Sequence, residues 1–300
     1  MLSVPLWVIA ALVGAVAQTG RNATQASLTA ALGTVGATQV RFLFGLPFAV
    51  LFLFLHARLT GEAPPALNPA AIGWTVMGAW AQIAGTALML LLMKSRAFGV
   101  ATAWLKTEPV LVALLGVAFL GDHLTVGMLA AIALSVAGVL VLSLRAGSIG
   151  SYFDSGPALL GLLSGLGYGL AAIGFRGGIT ALEGGSFLSQ ALLILTLSLA
   201  IQTATLLVWL ALRDRSALAG SFRVWRSSLA AGFLGAFASA CWFTGFSLTS
   251  AANVRTLALV EVPLAVIVSR VLFGQRTTAR QMAGMAIIVA GVAALLLQQS

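Results

Sequence analysis

Ten apolar stretches recur along the chain, at 4–27, 35–56, 70–93, 98–120, 124–144, 157–179, 187–211, 228–249, 253–273 and 281–298, separated by Gly, Pro or charged residues. Each is close to the roughly 20 residues that an α-helix needs to cross the hydrocarbon of a bilayer. In lipid every backbone N–H and C=O must be satisfied within the span, so stretches of this length read as helices. The pattern predicts an all-α polytopic membrane protein with ten transmembrane helices. The first stretch contains Ala15-Val16-Ala17, which looks like a signal-peptidase site. It lacks a charged start and has a counterpart in the second half, so it reads as a retained helix.

The polar positions inside these stretches repeat. Glu108 and Glu261, Gly121 and Gly274, and Gly138 and Gly291 are each 153 residues apart, within Thr107-Glu108-Pro109-Val110 and Val260-Glu261-Val262-Pro263 and the segments that follow. Arg21 and Arg176 fall near the same spacing. Any two Leu/Ala/Val helices align tolerably, but a Glu and two Gly at one offset favour duplication. The boundaries predicted are 1–146 and 147–300. Five spans per half is an odd number, so the second half enters the membrane upside down, giving two inverted five-helix repeats of the kind used in alternating access.

Composition agrees. Of 300 residues 60% are hydrophobic and 8% charged, against about 25% charged in a soluble domain, and the mean hydropathy is +1.06. No stretch remains for a soluble catalytic domain. The formal net charge of +9 comes from Lys and Arg scattered singly through apolar sequence, so nucleic acid is not expected as a partner. The lone Cys241 and the two histidines, His56 and His123, lack metal-ligand spacing, so neither a metal nor a cofactor is expected. Loops after odd-numbered spans collect Lys94, Arg96, Arg145, Arg213, Arg215, Arg223, Arg226, Arg276 and Arg280, whereas the other side has little beyond Arg58. The positive-inside rule then makes those loops cytoplasmic and both termini external.

Lys94-Ser95-Arg96-Ala97-Phe98-Gly99-Val100-Ala101, Glu108-Pro109, Phe119-Leu120-Gly121-Asp122 and Ala137-Gly138-Val139-Leu140 resemble the core of an EamA-type domain of the drug/metabolite transporter superfamily, as does Val40-Arg41-Phe42-Leu43 near the second span. The second copy is Leu248-Thr249-Ser250-Ala251-Ala252, Glu261-Val262-Pro263, Phe273-Gly274 and Ala290-Gly291-Val292. The resemblance implies ten helices in inverted halves, cytoplasmic termini and export of small metabolites, amino acids or drugs. The chain departs from the family pattern after the repeated Gly, where Asp122 and Gln275 stand in place of the usual Glu.

An ionisable group in hydrocarbon costs roughly 2.5–3.5 kcal/mol on insertion scales, so Lys106, Glu108, Arg255 and Glu261, with Arg41 near the start of the second span, are candidates to bind substrate or a coupling ion. Each Glu lies one or two residues from a proline, which removes a backbone donor and weakens the helix beside it. Burial raises a carboxyl pKa and a nearby cation lowers it, the setting for proton coupling. The bland alternative is that the acids pair with Lys106, Arg255 or Arg41 to hold the halves together. Lys106 and Glu108 do not face each other along one helix, so Lys106 is expected to pair across helices. Arg41 serves equally well as an anchor that reaches the interface. Trp104, on the helix of Glu108, is the aromatic candidate. Gln18, Asn22 and Gln82 are lesser polar candidates to line the cavity, whereas Trp80 and Trp242 within spans and Trp7 and Trp225 near interfaces fit packing and membrane-belt roles, and Asn22-Ala23-Thr24 matches a glycosylation sequon of the kind that occurs often by chance. Gly161, Gly165 and Gly169 make a small-residue face on the sixth span, which reads as a packing surface.

Three cations and two acids would give a slightly positive cavity, suited to a carboxylate-bearing or zwitterionic solute. The function expected is a secondary transporter in the cell membrane, the bacterial inner membrane by type. It would move an amino acid-like, carboxylate-bearing or drug-like metabolite by alternating access, as monomer or homodimer. Its partners are a small-molecule solute and the lipid bilayer. An uncoupled facilitator or channel is the alternative. A membrane enzyme would need a nucleophile with its base, a metal cluster or a cofactor loop, and the sequence carries none of these motifs.

Overall fold

The structure, a computed structural model, describes residues 4–93, 104–143, 155–273 and 278–298. They form helices α1 (Leu6–Leu43), α2 (Leu46–Thr60), α3 (Pro69–Met93), α4 (Glu108–Leu120), α5 (Val126–Ser143), α6 (Ser155–Thr180), α7 (Phe187–Arg213), α8 (Arg215–Arg223), α9 (Trp225–Leu248), α10 (Ala251–Leu257), α11 (Glu261–Phe273) and α12 (Ala279–Leu297), with a 3-10 turn, Ala258–Val260, before α11. Among the described residues five helical segments are long and apolar enough to cross a membrane, and 6–21, 108–120 and 126–142 are shorter apolar helices. The chain is a polytopic helical membrane protein.

Two compact units divide it: Met1–Trp80 with Gly174–Thr249, and Ala81–Ile173 with Ser250–Ser300. Each unit draws on both halves of the sequence.

In the first unit, α1 runs past the expected end at residue 27 and breaks at Gly33, whose φ of 68° and ψ of 175° are accessible to glycine alone at low cost. The helical path resumes as the span Gly36–Thr60. It ends at left-handed Gly61, whose N–H donates to Ala57 O at 3.0 Å. Two loops then lock together. Asn68 Oδ1 caps α3 by accepting from Ala71 N at 2.8 Å, while its Nδ2 donates to Ala181 O at 2.6 Å. Glu62 accepts from the backbone N–H of Ser186, the N-cap of α7, and stands 3.5 Å from His56 Nε2. Hydrogen bonding to Ser186, with a smaller contribution from His56, holds the Glu62 carboxyl below its usual range. Trp242 is buried against Gly14 and donates through Nε1 to Gln18 Oε1 at 3.1 Å, and Phe175 packs on Phe243 with ring centroids 4.8 Å apart. Packing, the role expected of Trp242, is what its ring does, and Gln18, a candidate to line the cavity, is its hydrogen-bond partner.

The second unit is packed on small residues, as helices must be when lipid supplies no hydrophobic drive between them. A methyl group on Gly138 of α5 would stand 2.7 Å from Ile288 N and 2.9 Å from Gly284 O of α12, and one on Gly291 would stand 2.6 Å from Ser135 N and 3.0 Å from Ala131 O. Gly284 and Ile288 are themselves 153 residues beyond Ala131 and Ser135. The contact thus maps onto itself when the halves are exchanged, and α5 and α12 run antiparallel. Gly138→Ala is expected to cost about 1–3 kcal/mol by forcing backbone apart. Gly73→Ala, with open space around its Cβ, should instead be neutral or stabilising by up to about 1 kcal/mol. Thermal unfolding in detergent compares the two. Buried hydroxyls bond back to their own helices, Ser135 to Ala131 O at 2.9 Å and Thr256 to Ala252 O at 2.7 Å, so no partner is demanded of the apolar surroundings.

Candidate functional site

The stretches expected to be continuous spans at 98–120 and 253–273 are both interrupted where they are described. Before α4, residues 104–107 make a turn in which Thr107 donates its N–H and hydroxyl to Trp104 O, at 3.1 and 2.7 Å. The helix then starts at Glu108 with Pro109 in its first turn. In the second copy α10 ends at Leu257, the 3-10 turn follows, and α11 starts at Glu261 with Pro263 close behind. Proline is tolerated there because the N–H it lacks has no partner in a first turn. An apolar run reports burial in lipid and not unbroken hydrogen bonding, which is why the interruptions escape a hydropathy reading. Both acids consequently sit at helix N-termini, where the helix dipole favours a carboxylate.

The two acids stand 153 residues apart, each at a helix start, but their partners differ. Glu108 accepts two bonds from Arg255, from Nε to Oε1 and from Nη2 to Oε2, each 2.7 Å. Glu261 accepts from Lys106 Nζ at 2.5 Å. Each pair joins an acid of one half to a cation of the other, and Lys106 pairs across helices as expected. The side chains of Glu108 and Arg255 are 10% and 22% exposed, those of Glu261 and Lys106 16% and 23%. The first pair has the planar fork geometry that fixes orientation, whereas an ammonium on four methylenes is a point charge that swings easily. Arg255 also lies within electrostatic reach of Glu261 and Tyr168, which links the two pairs. Within this unit the cluster counts two cations and two acids and is formally neutral.

Trp104 is half-buried and anchors the turn ahead of Lys106 through its carbonyl. Arg41 belongs to the other unit. There its stem and that of Arg21 lie against Gly235, about 3.4 and 3.5 Å from where a Cβ would be, and its guanidinium sits 5.1 Å over the Phe42 ring. The small-residue face of α6 packs where the site is built: a methyl on Gly165 would stand 3.3 Å from Leu105 O, and Gly169 faces Val112 and Leu115 of α4.

Two residues of this neighbourhood escape the sequence reading. Tyr168 hydrogen-bonds Thr86 at 3.0 Å, and sits inside the run of small residues that reads as packing. It is one of only two tyrosines in the chain, and that scarcity was the available signal. Asn253, 4% exposed, lies on α10 two residues before Arg255, in a stretch whose charge drew attention away from its amide. Gly274, Gln275 and 94–103 lie outside the described residues. Among the described residues no three His, Cys, Asp or Glu side chains come together as a metal would need.

Residues 156–297 match the EamA-like transporter family. A solved crystal structure, described only as that of a protein, superposes over 97% of this chain and 96% of its own with a TM-score of 0.75 at 16% identity, a likeness of fold. No curated protein matches the chain.

Proposed function

We propose that this chain, whose second half over residues 156–297 belongs to the EamA-like transporter family, carries a small polar or amphipathic metabolite across the cell membrane by alternating access. The coarser reading, a multi-pass membrane transporter of the drug/metabolite transporter superfamily, is its premise. The observation that carries the finer one is the pair of crossed ion pairs at two equivalent helix starts. A carrier needs contacts that close one state and can be exchanged for contacts with solute or proton. The antiparallel, self-mapping packing of α5 on α12 supports an inverted duplication of five spans each, ten in all, with 1–146 and 147–300 as its halves.

The unequal partners imply a division of labour. Arg255 and Glu108 form the fixed clamp. Lys106 and Glu261 form the pair that opens: protonation of Glu261, or an ammonium group on the solute, removes the charge that holds Lys106. The freed ammonium can then take a carboxylate. A neutral cluster of this kind suits a zwitterionic or amino acid-like solute exported in exchange for protons. Arg41, in the other unit, serves as an anchor or an additional anion contact, and Trp104 as an apolar wall. The arginine-rich odd-numbered loops support an orientation with that side in the cytoplasm, in a bacterial inner membrane.

The test is a thermal-shift screen of amino acids, nucleosides, polyamines and drugs on the purified chain, followed by counterflow of the stabilising solute in proteoliposomes. Saturation at about a hundred times the dissociation constant adds about 2.7 kcal/mol to the folded state. A carrier then exchanges labelled for unlabelled solute. Stabilisation without any exchange would remove the transport reading.

A further inference from the structure

Between α7 and α9 the chain inserts α8, where hydropathy reads only a basic loop. Its nine residues cover about 14 Å at 1.5 Å per residue, too little to span a bilayer. One side of α8 is held by the protein. Ser221 is fully buried and its carbonyl accepts from Ser228 Oγ at 2.9 Å. A methyl on Gly220 would stand 3.0 Å from Leu32 Cδ2, and Phe222 meets Phe44 with ring centroids 5.5 Å apart. Arg215, Ala219 and Arg223, four residues apart, form the opposite, exposed face, and Phe222 lies at its edge, against Phe44 on one side and exposed on the other. Arg213 before it and Trp225 and Arg226 after it are exposed as well.

This surface is not an ordinary solvated one. Four arginines stand against one acid, Asp214, which is engaged by the Ser216 hydroxyl at 2.7 Å. Phe222 and Trp225 remain 55% and 50% exposed among them, and the Arg226 guanidinium lies 5.4 Å over the Trp225 ring. Aromatic rings interleaved with guanidiniums, on a short helix joining the ends of two apolar spans, match the boundary of a bilayer. There the rings enter the acyl margin and the guanidiniums meet phosphate. We propose that α8, with Arg213, Arg215, Arg223 and Arg226, is a docking surface for the headgroups of anionic phospholipids. Because α8 rests on Leu32, next to the break at Gly33, and on Phe44, just past the end of α1, headgroups bound there hold the end of α1 beyond its break in place. The occupant is bilayer lipid, and the claim is independent of which solute is carried.

The experiment is thermal unfolding of the full chain in neutral detergent, titrated with short-chain phosphatidylglycerol, phosphatidylcholine or inorganic phosphate. Phosphatidylglycerol is expected to raise the unfolding temperature and the other two to leave it unchanged. An arginine near an anionic surface contributes about fivefold in affinity, so R215Q/R223Q/R226Q should weaken the phosphatidylglycerol effect roughly a hundredfold. R215K/R223K/R226K should keep most of it, and R58Q, which removes an exposed arginine elsewhere, should keep all. An undiminished effect in the glutamine variant, an equal effect of phosphatidylcholine, or reproduction by inorganic phosphate overturns the proposal. Should the glutamine variant fail to fold, the lysine variant decides: its response must fade with added salt, and a salt-independent response contradicts it.

Discussion

Arg255→Leu is expected to destabilise the protein by about 3–5 kcal/mol, the cost of leaving one member of a buried pair without its partner. Glu108 is 7% exposed and would lose both of its 2.7 Å bonds at once. The loss is asymmetric: most of it is the desolvated carboxylate left behind, and only a smaller part is the attraction itself. Removing both members with Glu108→Leu and Arg255→Leu together should therefore restore much of the unfolding temperature, while counterflow stays abolished because the clamp is gone. A double variant that regains exchange along with stability would make the pair purely structural. Lys106→Met gives the contrast. Its pair has one bond where the other has two, so Lys106→Met should cost less than Arg255→Leu, and its effect should fall on transport.

Part of this was legible in the chain and part was not, for identifiable reasons. The long apolar runs that became α6, α7, α9 and α12 were placed within a few residues, since continuous apolarity over more than one bilayer thickness has few other meanings. The 153-residue spacing of Glu108 with Glu261 and Gly138 with Gly291 singled out residues that the structure places in ion pairs and in the α5–α12 contact, because polar and small residues are scarce enough in hydrocarbon to carry register. What escaped was geometry that apolarity does not encode. The turn at Ala258–Val260 is as apolar as the helices around it, and the break at Gly33 depends on one backbone conformation. The choice of Arg255 for Glu108 and Lys106 for Glu261 follows from packing, as neither cation sits at the other's repeat position. Arg41 reads as a third cation of the same set by proximity to a span end, yet it falls in the other compact unit, and the remaining cluster is neutral. α8 was hidden because nine residues rich in arginine and serine look like a loop until Ser221 is seen to be buried.

The second large effect is expected at Glu261. Glutamine there has the shape of the protonated acid and cannot gain or lose the proton, so Glu261→Gln should fix the exchangeable pair in its open form. Folding should be little changed, since only the single-bonded pair is released and Glu108 keeps its fork with Arg255. A carrier in that form still alternates when solute is present on both sides, but a proton gradient no longer has a group to act on. Proteoliposomes holding wild-type or Glu261→Gln protein, given a solute on one side and an imposed pH difference, separate the two activities. The account predicts that the variant exchanges labelled solute at a rate comparable to wild type and independent of pH, while gradient-driven accumulation falls to the level of empty vesicles. Accumulation by Glu261→Gln equal to wild type would contradict it.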